Sequence, residues 1–325
     1  MKKNLLLLLS SLILLSCFQT GSELLMEKTQ EQPLTFTPEK RIQTAVPQTV
    51  DDSRREKIEN SFPPEKIIQA YKKAYPDKIR EISYKNDDWA MKVYDQWYYW
   101  AGGRLLPEEL VIKKGDYNSH VFNHYPSELP PFTELPLEMK EKLDRLVEER
   151  KQMPLQRHPG FLNSLWRIYD RETSWARVKT TWFLGFKMQI HRDLLEDLAA
   201  VEEEIQRRML VDSSLTRFVR SLNRIDGYNW RQIAETETLS VHSYGVALDL
   251  ILNTPWGKEV YWLWTQNKGL KFYNTPYKSR FSPPDSFIKA FEKQGFIWGG
   301  KWLFFDTIHF EYRPEIMILN ELPLE

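Results

Sequence analysis

The segment SVHSYGVALDLIL, residues 240–252, carries the clearest structural pattern in the chain. From Val246 to Leu252 it is apolar except for Asp249. Side chains alternate along a β-strand, so this pattern predicts a strand with Asp249 and Ala247 on one face and larger apolar side chains on the other. A carboxylate in so apolar a setting needs a cation, and the small Ala247 leaves room for one beside it.

Two histidines could complete a metal site around this carboxylate. His242 precedes Asp249 by seven residues, with Gly245 between them to turn the backbone, and His309 lies in a second segment, DTIHFE, residues 306–311. Catalytic zinc typically takes three protein ligands and leaves a fourth position to water. We therefore predict that His242, Asp249 and His309 bind Zn²⁺.

The second segment also supplies two carboxylates outside this ligand set. Asp306 would take a proton from the zinc-activated water, whose pKa falls from about 15.7 to around 7, and pass it to the leaving amine. Glu311 alternates onto the same face as His309 and could orient a ligand ring. The residues thus indicate metal-assisted hydrolysis with Asp306 as the general base.

Both segments resemble the family of zinc D-Ala-D-Ala carboxypeptidases and L-Ala-D-Glu endopeptidases. The family pattern S-x-H-x-x-G-x-A-x-D matches Ser240–Asp249, and D-x-x-H-F-E matches Asp306–Glu311. The resemblance covers about residues 181–315. It implies a hedgehog-type α+β fold, peptidoglycan stem peptides as substrates, the same three zinc ligands and Asp306 as the base.

The resemblance also bears on three further positions. Many relatives carry Glu where this chain has the shorter Asp306, and Asp occurs in the endopeptidase-like branch. Arg231 is similar to an arginine that relatives hold before the first ligand, and it could bind a substrate carboxylate or stabilise the oxyanion. Ser240, the first residue of the motif, is placed next to the ligands as a supporting residue.

The N-terminus predicts export and attachment to a membrane. Lys2 and Lys3 precede an apolar run of about eleven residues, which is too short to span a bilayer and is typical of a signal peptide. The end of residues 1–17 resembles a bacterial lipobox, so Cys17 would carry lipid. Cleavage by an ordinary signal peptidase and an unprocessed buried cysteine are the alternatives. A lipidated Cys17 leaves no thiol for catalysis and implies the bacterial cell envelope.

The remaining chain divides into three parts. Residues 18–60 are polar and contain three prolines, which favours a flexible linker. We predict a smaller N-terminal α+β region of unknown role at residues 61–180 and the peptidase domain at residues 181–325, an antiparallel sheet with flanking helices. The segments predicted with least help from motifs are a hairpin within 89–106, a helix over 137–152, a strand over 183–190, a helix capped by Asp193, a strand over 217–222 and a helix from Asp285 to Gln294.

The composition excludes one class of function and leaves two open. Lys and Arg together number 45 and so do Asp and Glu, so the chain lacks the general positive charge of nucleic-acid-binding proteins. We predict a zinc metallopeptidase, either a D,D-carboxypeptidase or an L-Ala-D-Glu-type endopeptidase. The alternative is a non-catalytic envelope lipoprotein that uses the same fold to bind the cell wall.

Overall fold

Nine α-helices and nine β-strands form the part of the chain that the structure, a computed structural model, describes: residues 62–152, 156–253 and 257–325. The helices are α1 (Pro64–Ala74), α2 (Leu137–Gln152), α3 (Gly160–Trp166), α4 (Arg171–Arg177), α5 (Leu195–Met209), α6 (Ser213–Ser221), α7 (Trp262–Asn267), α8 (Asp285–Lys293) and α9 (Pro314–Leu319). The strands are β1 (Ile79–Lys85), β2 (Asp88–Val93), β3 (Gln96–Tyr99), β4 (Val178–Phe183), β5 (Phe186–His191), β6 (Leu222–Asp226), β7 (Ala247–Leu252), β8 (Phe296–Trp298) and β9 (His309–Tyr312). The α+β class predicted from the sequence is confirmed. Among these residues no helix has the length and apolar character needed to cross a membrane.

A four-stranded antiparallel sheet in the order β6-β7-β9-β8 carries the motif residues. The register of β7 and β9 pairs Asp249 with His309 and Ala247 with Glu311. Paired residues on neighbouring strands point to the same face of a sheet, so Asp249 and His309 are direct neighbours although 60 residues separate them in the chain. The predicted strand over 246–252 is confirmed.

The opposite face of this sheet forms the core with helices α5 and α8. Phe310 of β9 is fully buried, and its ring centroid lies 4.4 Å from that of Phe291 in α8. Helix α5 buries Leu198, Val201 and Ile205, which recur at three and four residues. Helix α8 ends before Gly295, whose φ of 81° is readily adopted only by glycine, as the sequence predicts. Packing on this face thus fixes the backbone of the sheet, and with it the positions of Asp249 and His309 on the other face.

The predicted single strand over 183–190 is wrong, because two strands and a tight turn occupy this stretch. Strands β4 and β5 pair from Val178 opposite His191 to Phe183 opposite Phe186. Leu184 and Gly185 form the turn, with φ of 50° and 83°. Two successive residues with positive φ match the twist of a two-residue hairpin. The regular alternation of the sequence continues through the turn and conceals it.

Two further local predictions are corrected. The strand expected over 217–222 is mostly helix α6, because Asp212 accepts hydrogen bonds from the backbone of Ser214 and Leu215 and starts a helix there. Asp193 does not cap α5, since that helix begins at Leu195 and the Asp193 carboxylate lies 2.7 Å from Lys78 Nζ. Strand β9 is followed by helix α9, for which the sequence analysis gives no element.

The N-terminal elements pack against the C-terminal ones. Strands β1, β2 and β3 form an antiparallel sheet that includes the predicted hairpin, and helix α1 lies between this sheet and α9. The described residues belong to one compact unit, and their larger cluster of buried apolar side chains extends from Ile67 to Leu319. The domain boundary near residue 180 stays a prediction. The predicted signal peptide, Cys17 and the linker predicted at 18–60 lie outside the described residues.

Gly227 provides the first testable prediction, because strand β5 leaves no room for a side chain there. A Cβ added to Gly227 would lie 2.0 Å from the carbonyl oxygen of Gln189, which accepts a hydrogen bond from the backbone of Tyr228. We expect Gly227→Ala to lower the free energy of unfolding by about 1–3 kcal/mol, measured by urea denaturation. Gly160→Ala is the control, since its Cβ would meet only the movable His158 side chain within 3 Å. Equal losses in the two variants would contradict this explanation.

Candidate metal centre

Three side chains converge on the face of the sheet that turns away from helices α5 and α8. His309 Nδ1 lies 2.9 Å from Asp249 Oδ1, His242 Nε2 lies 3.2 Å from Asp249 Oδ2, and the two histidine nitrogens are 3.2 Å apart. One ligand atom from each residue lies within 4.8 Å of the other two. The predicted ligands are therefore together in the fold, and this group could hold a metal ion.

His242 is held by a short 3₁₀ helix, Val241–Tyr244, that leads into β7. Ser240 accepts a hydrogen bond from the backbone of His242 at 3.3 Å, so it supports the backbone of this residue and not its ring. The helix ends at Gly245, whose φ is 65°. A Cβ there would also lie 2.8 Å from the backbone nitrogen of His191. Glycine is thus required both by the backbone conformation and by the approach of β5.

The outer nitrogen of each imidazole is already engaged, which fixes the tautomers. His242 Nδ1 donates to the carbonyl oxygen of Gly227 at 2.6 Å, and His309 Nε2 donates to Glu311 at 3.3 Å. When both rings are neutral, the inner atoms, His242 Nε2 and His309 Nδ1, are lone-pair acceptors that face each other and the Asp249 carboxylate. Three acceptors in contact repel one another unless a proton or a metal ion lies among them. The sequence analysis expected a cation at this carboxylate for the same reason.

The close contacts in the centre shift the pKa values of Asp249 and His309. Burial alone would raise the pKa of Asp249, but its contacts with the His242 and His309 rings lower it well below its usual range. Burial alone would lower the pKa of His309, but bonds to Asp249 and Glu311 raise it well above its usual range. A proton on His309 therefore takes the central position when no metal is bound. A metal ion would displace this proton.

Glu311 is the first member of a hydrogen-bonded chain that reaches the N-terminal region. It accepts from Arg313 Nη1 at 3.1 Å, and Arg313 Nε also donates to Glu315. Glu315 accepts from the hydroxyl of Tyr75, just after helix α1, at 3.0 Å. Burial favours the neutral form of Glu311, but His309 and Arg313 lower its pKa to about 2. The carboxylate stays ionised and holds the His309 ring in one orientation.

Asp306 lies at the edge of the centre and differs from the other carboxylates. Its Oδ1 is buried and has no hydrogen-bond partner among the described residues. Burial raises the pKa of Asp306 to about 6, and the charge of Asp249 contributes in the same direction. Its backbone is fixed by a hydrogen bond to Gly299 and a bridge to Tyr261. A carboxylate with one free oxygen beside a metal centre has the properties of a general base.

The structure does not bring the Arg231 guanidinium to the ligand group. The Arg231 side chain is exposed and, within the described residues, donates only to the carbonyl of Gln232 at 3.4 Å. Its backbone does lie next to the centre, because it donates to Ser243 Oγ at 2.9 Å. The role predicted for Arg231 therefore remains a prediction.

Several parts of the centre were missed by sequence reasoning. Gly227, Tyr75 and Arg313 all fix ligand geometry through hydrogen bonds, and the ring of Trp302 lies 5.6 Å from that of His309, centroid to centroid. Gly227 acts through its backbone carbonyl, which leaves no trace in residue type. The charged residues at alternate positions, Glu311, Arg313 and Glu315, were the available signal for this hydrogen-bonded chain, although only Glu311 lies in β9 and Glu315 lies in α9.

Comparison with known families agrees with this geometry. Residues 234–312 match a peptidase family model described as D-alanyl-D-alanine carboxypeptidase. The match includes the three candidate ligands, Asp306 and Glu311, and it ends at Tyr312, the last residue of β9. Residues 67–122 match a model described as a domain of unknown function (DUF8518). No curated protein and no solved structure is significantly similar to the chain. The segment that carries the centre is thus similar to a peptidase family and suggests peptidase activity.

Proposed function

We propose that the protein is a zinc metallopeptidase that hydrolyses peptidoglycan stem peptides. The observation that carries this proposal is the contact of His242 Nε2, His309 Nδ1 and the Asp249 carboxylate. Two imidazoles and one carboxylate form a donor set that is typical of catalytic zinc. The family match to D-alanyl-D-alanine carboxypeptidases supports the substrate class. The hedgehog-type fold of this family is part of the same proposal.

When bound, zinc would polarise the scissile carbonyl and lower the pKa of water. The chain's own residues hold the reactants and move the proton. Gly227 and Glu311 orient the two imidazoles from behind, so that both inner nitrogens face the same point. Asp306 takes the proton of the attacking water on its free Oδ1 and returns it to the leaving nitrogen. Arg231 would bind a substrate carboxylate or stabilise the developing oxyanion.

An enzyme explains the site better than the alternative, a non-catalytic wall-binding lipoprotein. A binding module needs no free carboxylate beside the metal centre. Asp306 is buried with one oxygen unpaired, and such an arrangement lowers stability. A role of that oxygen in the reaction would explain why it is present. Carboxypeptidase and endopeptidase action would use this same centre and differ in the peptide bond presented to it.

The proposal places the protein in the bacterial cell envelope. The basic start, the short apolar run and Cys17 support export followed by attachment of lipid. A membrane anchor and a linker would let the peptidase reach stem peptides near the membrane. This part of the proposal depends on the sequence alone.

The division of roles between ligands and base can be tested with two substitutions. We expect Asp306→Asn to retain zinc and to lower kcat at least about 100-fold, because the general base is lost while the ligand set is intact. His242→Ala should lose both zinc and turnover. Zinc is measured by elemental mass spectrometry of the full-length protein, and turnover is measured by mass spectrometry of digested muropeptides. A turnover near that of the unmodified protein in Asp306→Asn would remove Asp306 from the mechanism.

The carboxylate behind His309 provides a separate test. Glu311→Gln should weaken zinc affinity by about 10–100-fold, because the neutral amide accepts a weaker hydrogen bond from His309 and no longer raises the basicity of its ring. The affinity is measured by competition with a chromophoric chelator. Tyr75→Phe should have a smaller effect in the same direction, since it removes only the far end of the chain. Tyr84→Phe is the matched control, because Tyr84 is an exposed residue of β1.

Unchanged affinity in Glu311→Gln would show that the His309 ring is held by packing alone. An effect of Tyr84→Phe as large as that of Tyr75→Phe would mean that the loss is general and does not pass through Glu315. Thermal unfolding of each variant separates a change in affinity from a loss of fold.

A further inference from the structure

Two arginines between the N-terminal and C-terminal elements form no ion pair with a described residue. Arg150, in the last turn of α2, forms no ion pair or hydrogen bond with a described residue, and its Nε is buried. Its Cζ lies 5.2 Å from the ring centroid of Trp262. Arg157 donates from Nε to the carbonyl of Ser119 at 3.2 Å and forms no ion pair in the described part of the chain. Both guanidinium groups therefore keep most of their donors free.

Both arginines are connected by contacts to segments that carry residues of the centre. The backbone nitrogen of Arg157 donates to Thr238 Oγ1 at 3.0 Å, in the loop that leads to His242. The charges of Glu311 and of Arg150 both act on the Arg157 guanidinium. Arg157 is thus placed near the Glu311 side, within electrostatic range of the second arginine.

Arg150 is placed near the Asp306 side. The ring of Trp262 contacts Arg150, and the backbone nitrogen of Trp262 donates to the carbonyl of Phe305 at 2.9 Å. Phe305 is the residue before Asp306. The neighbouring Tyr261 pairs its backbone with Asp306, and the charges of Asp306 and Arg150 both act on the Tyr261 hydroxyl. Arg150 is thus connected to the segment that carries the candidate base, and Arg157 lies within electrostatic range of the carboxylate behind His309.

Three carboxylates of the centre are already bonded to other groups, and the fourth, Asp306, forms no ion pair with a described residue. Asp249 is bonded to both histidines, Glu311 to His309 and Arg313, and Glu315 to Arg313 and Tyr75, as described above. Glu235 acts on Arg150 electrostatically but forms no ion pair with it. Burial disfavours the charge of Arg157 and lowers its pKa to about 10. A desolvated guanidinium without a counter-ion gains strongly when an anion binds.

We propose that Arg150 and Arg157 form an anion subsite that binds a carboxylate of the peptide substrate next to the scissile bond. The proposal rests on the proposed function, because stem peptides present free carboxylates at the C-terminus and at the α-position of D-Glu. Arginine suits this task since its planar donor pair matches the two oxygens of a carboxylate. Neither family model reaches these positions, because the matches cover residues 67–122 and 234–312.

The test uses three versions of one stem pentapeptide, L-Ala-γ-D-Glu-L-Lys-D-Ala-D-Ala. One version is unmodified, one has a C-terminal amide, and one has an amide at the α-carboxyl of D-Glu. Dissociation constants are measured by calorimetry with zinc-supplemented full-length protein that carries Asp306→Asn, and kcat/KM is measured with the unmodified protein. We expect one of the two amidations to weaken binding about tenfold or more, and the amidation responsible identifies the carboxylate.

Substitution of the arginines should remove this discrimination. In Arg150→Gln and Arg157→Gln the acid should bind no better than its amide, and Arg150→Lys should keep part of the difference because the charge remains. Arg220→Gln is the control, because Arg220 is an exposed residue of α6. Melting temperatures confirm that each variant is folded.

Three results overturn the subsite. The first is equal binding of all three peptides, and the second is full discrimination in both Gln variants. The third is loss of discrimination in Arg231→Gln alone, which would place the carboxylate at Arg231. If the unmodified protein cleaves the peptide and any of these results is obtained, the proposed peptidase function is supported and the subsite is refuted. Arginine-dependent binding without cleavage would support the subsite and refute the peptidase.

Discussion

The contact of three hydrogen-bond acceptors at one point is the constraint on which the rest of this structure depends. His242 Nε2, His309 Nδ1 and the Asp249 carboxylate repel one another unless a proton or a metal ion lies among them. The fold keeps them together by holding each imidazole from its outer side, through the Gly227 carbonyl and the Glu311 carboxylate. Apolar packing on the opposite face of the sheet, where Phe310 contacts Phe291 of α8, stabilises this arrangement.

The N-terminal region has a structural connection to this centre. Helix α1 precedes Tyr75, whose hydroxyl bonds Glu315 and through Arg313 contacts the carboxylate behind His309. Arg150 and Arg157 come from the same half of the chain. The C-terminal segment thus supplies the candidate ligands and the base, whereas the N-terminal elements contribute to ligand orientation and, in our proposal, to substrate recognition.

The sequence predicted those features that have a local signature. The alternation around Asp249 predicted β7, and helix α8 with its terminal Gly295 was predicted from its own residues. The hairpin turn at Leu184 was missed, because a leucine with positive φ is rare and its neighbours continue a strand pattern. Helix α6 was missed because its apolar positions also fit a short strand.

The parts of the centre that escaped prediction are those that depend on long-range contacts. Tyr75 and Glu315 are 240 residues apart in sequence, so no spacing rule could join them. The most direct test of the central claim is zinc-edge X-ray absorption of the full-length protein, which counts the ligands of the bound ion. The account predicts one zinc per chain, with two imidazoles and oxygen ligands at about 2.0–2.2 Å. A stoichiometry near zero, or a zinc ion without imidazole ligands, would contradict it.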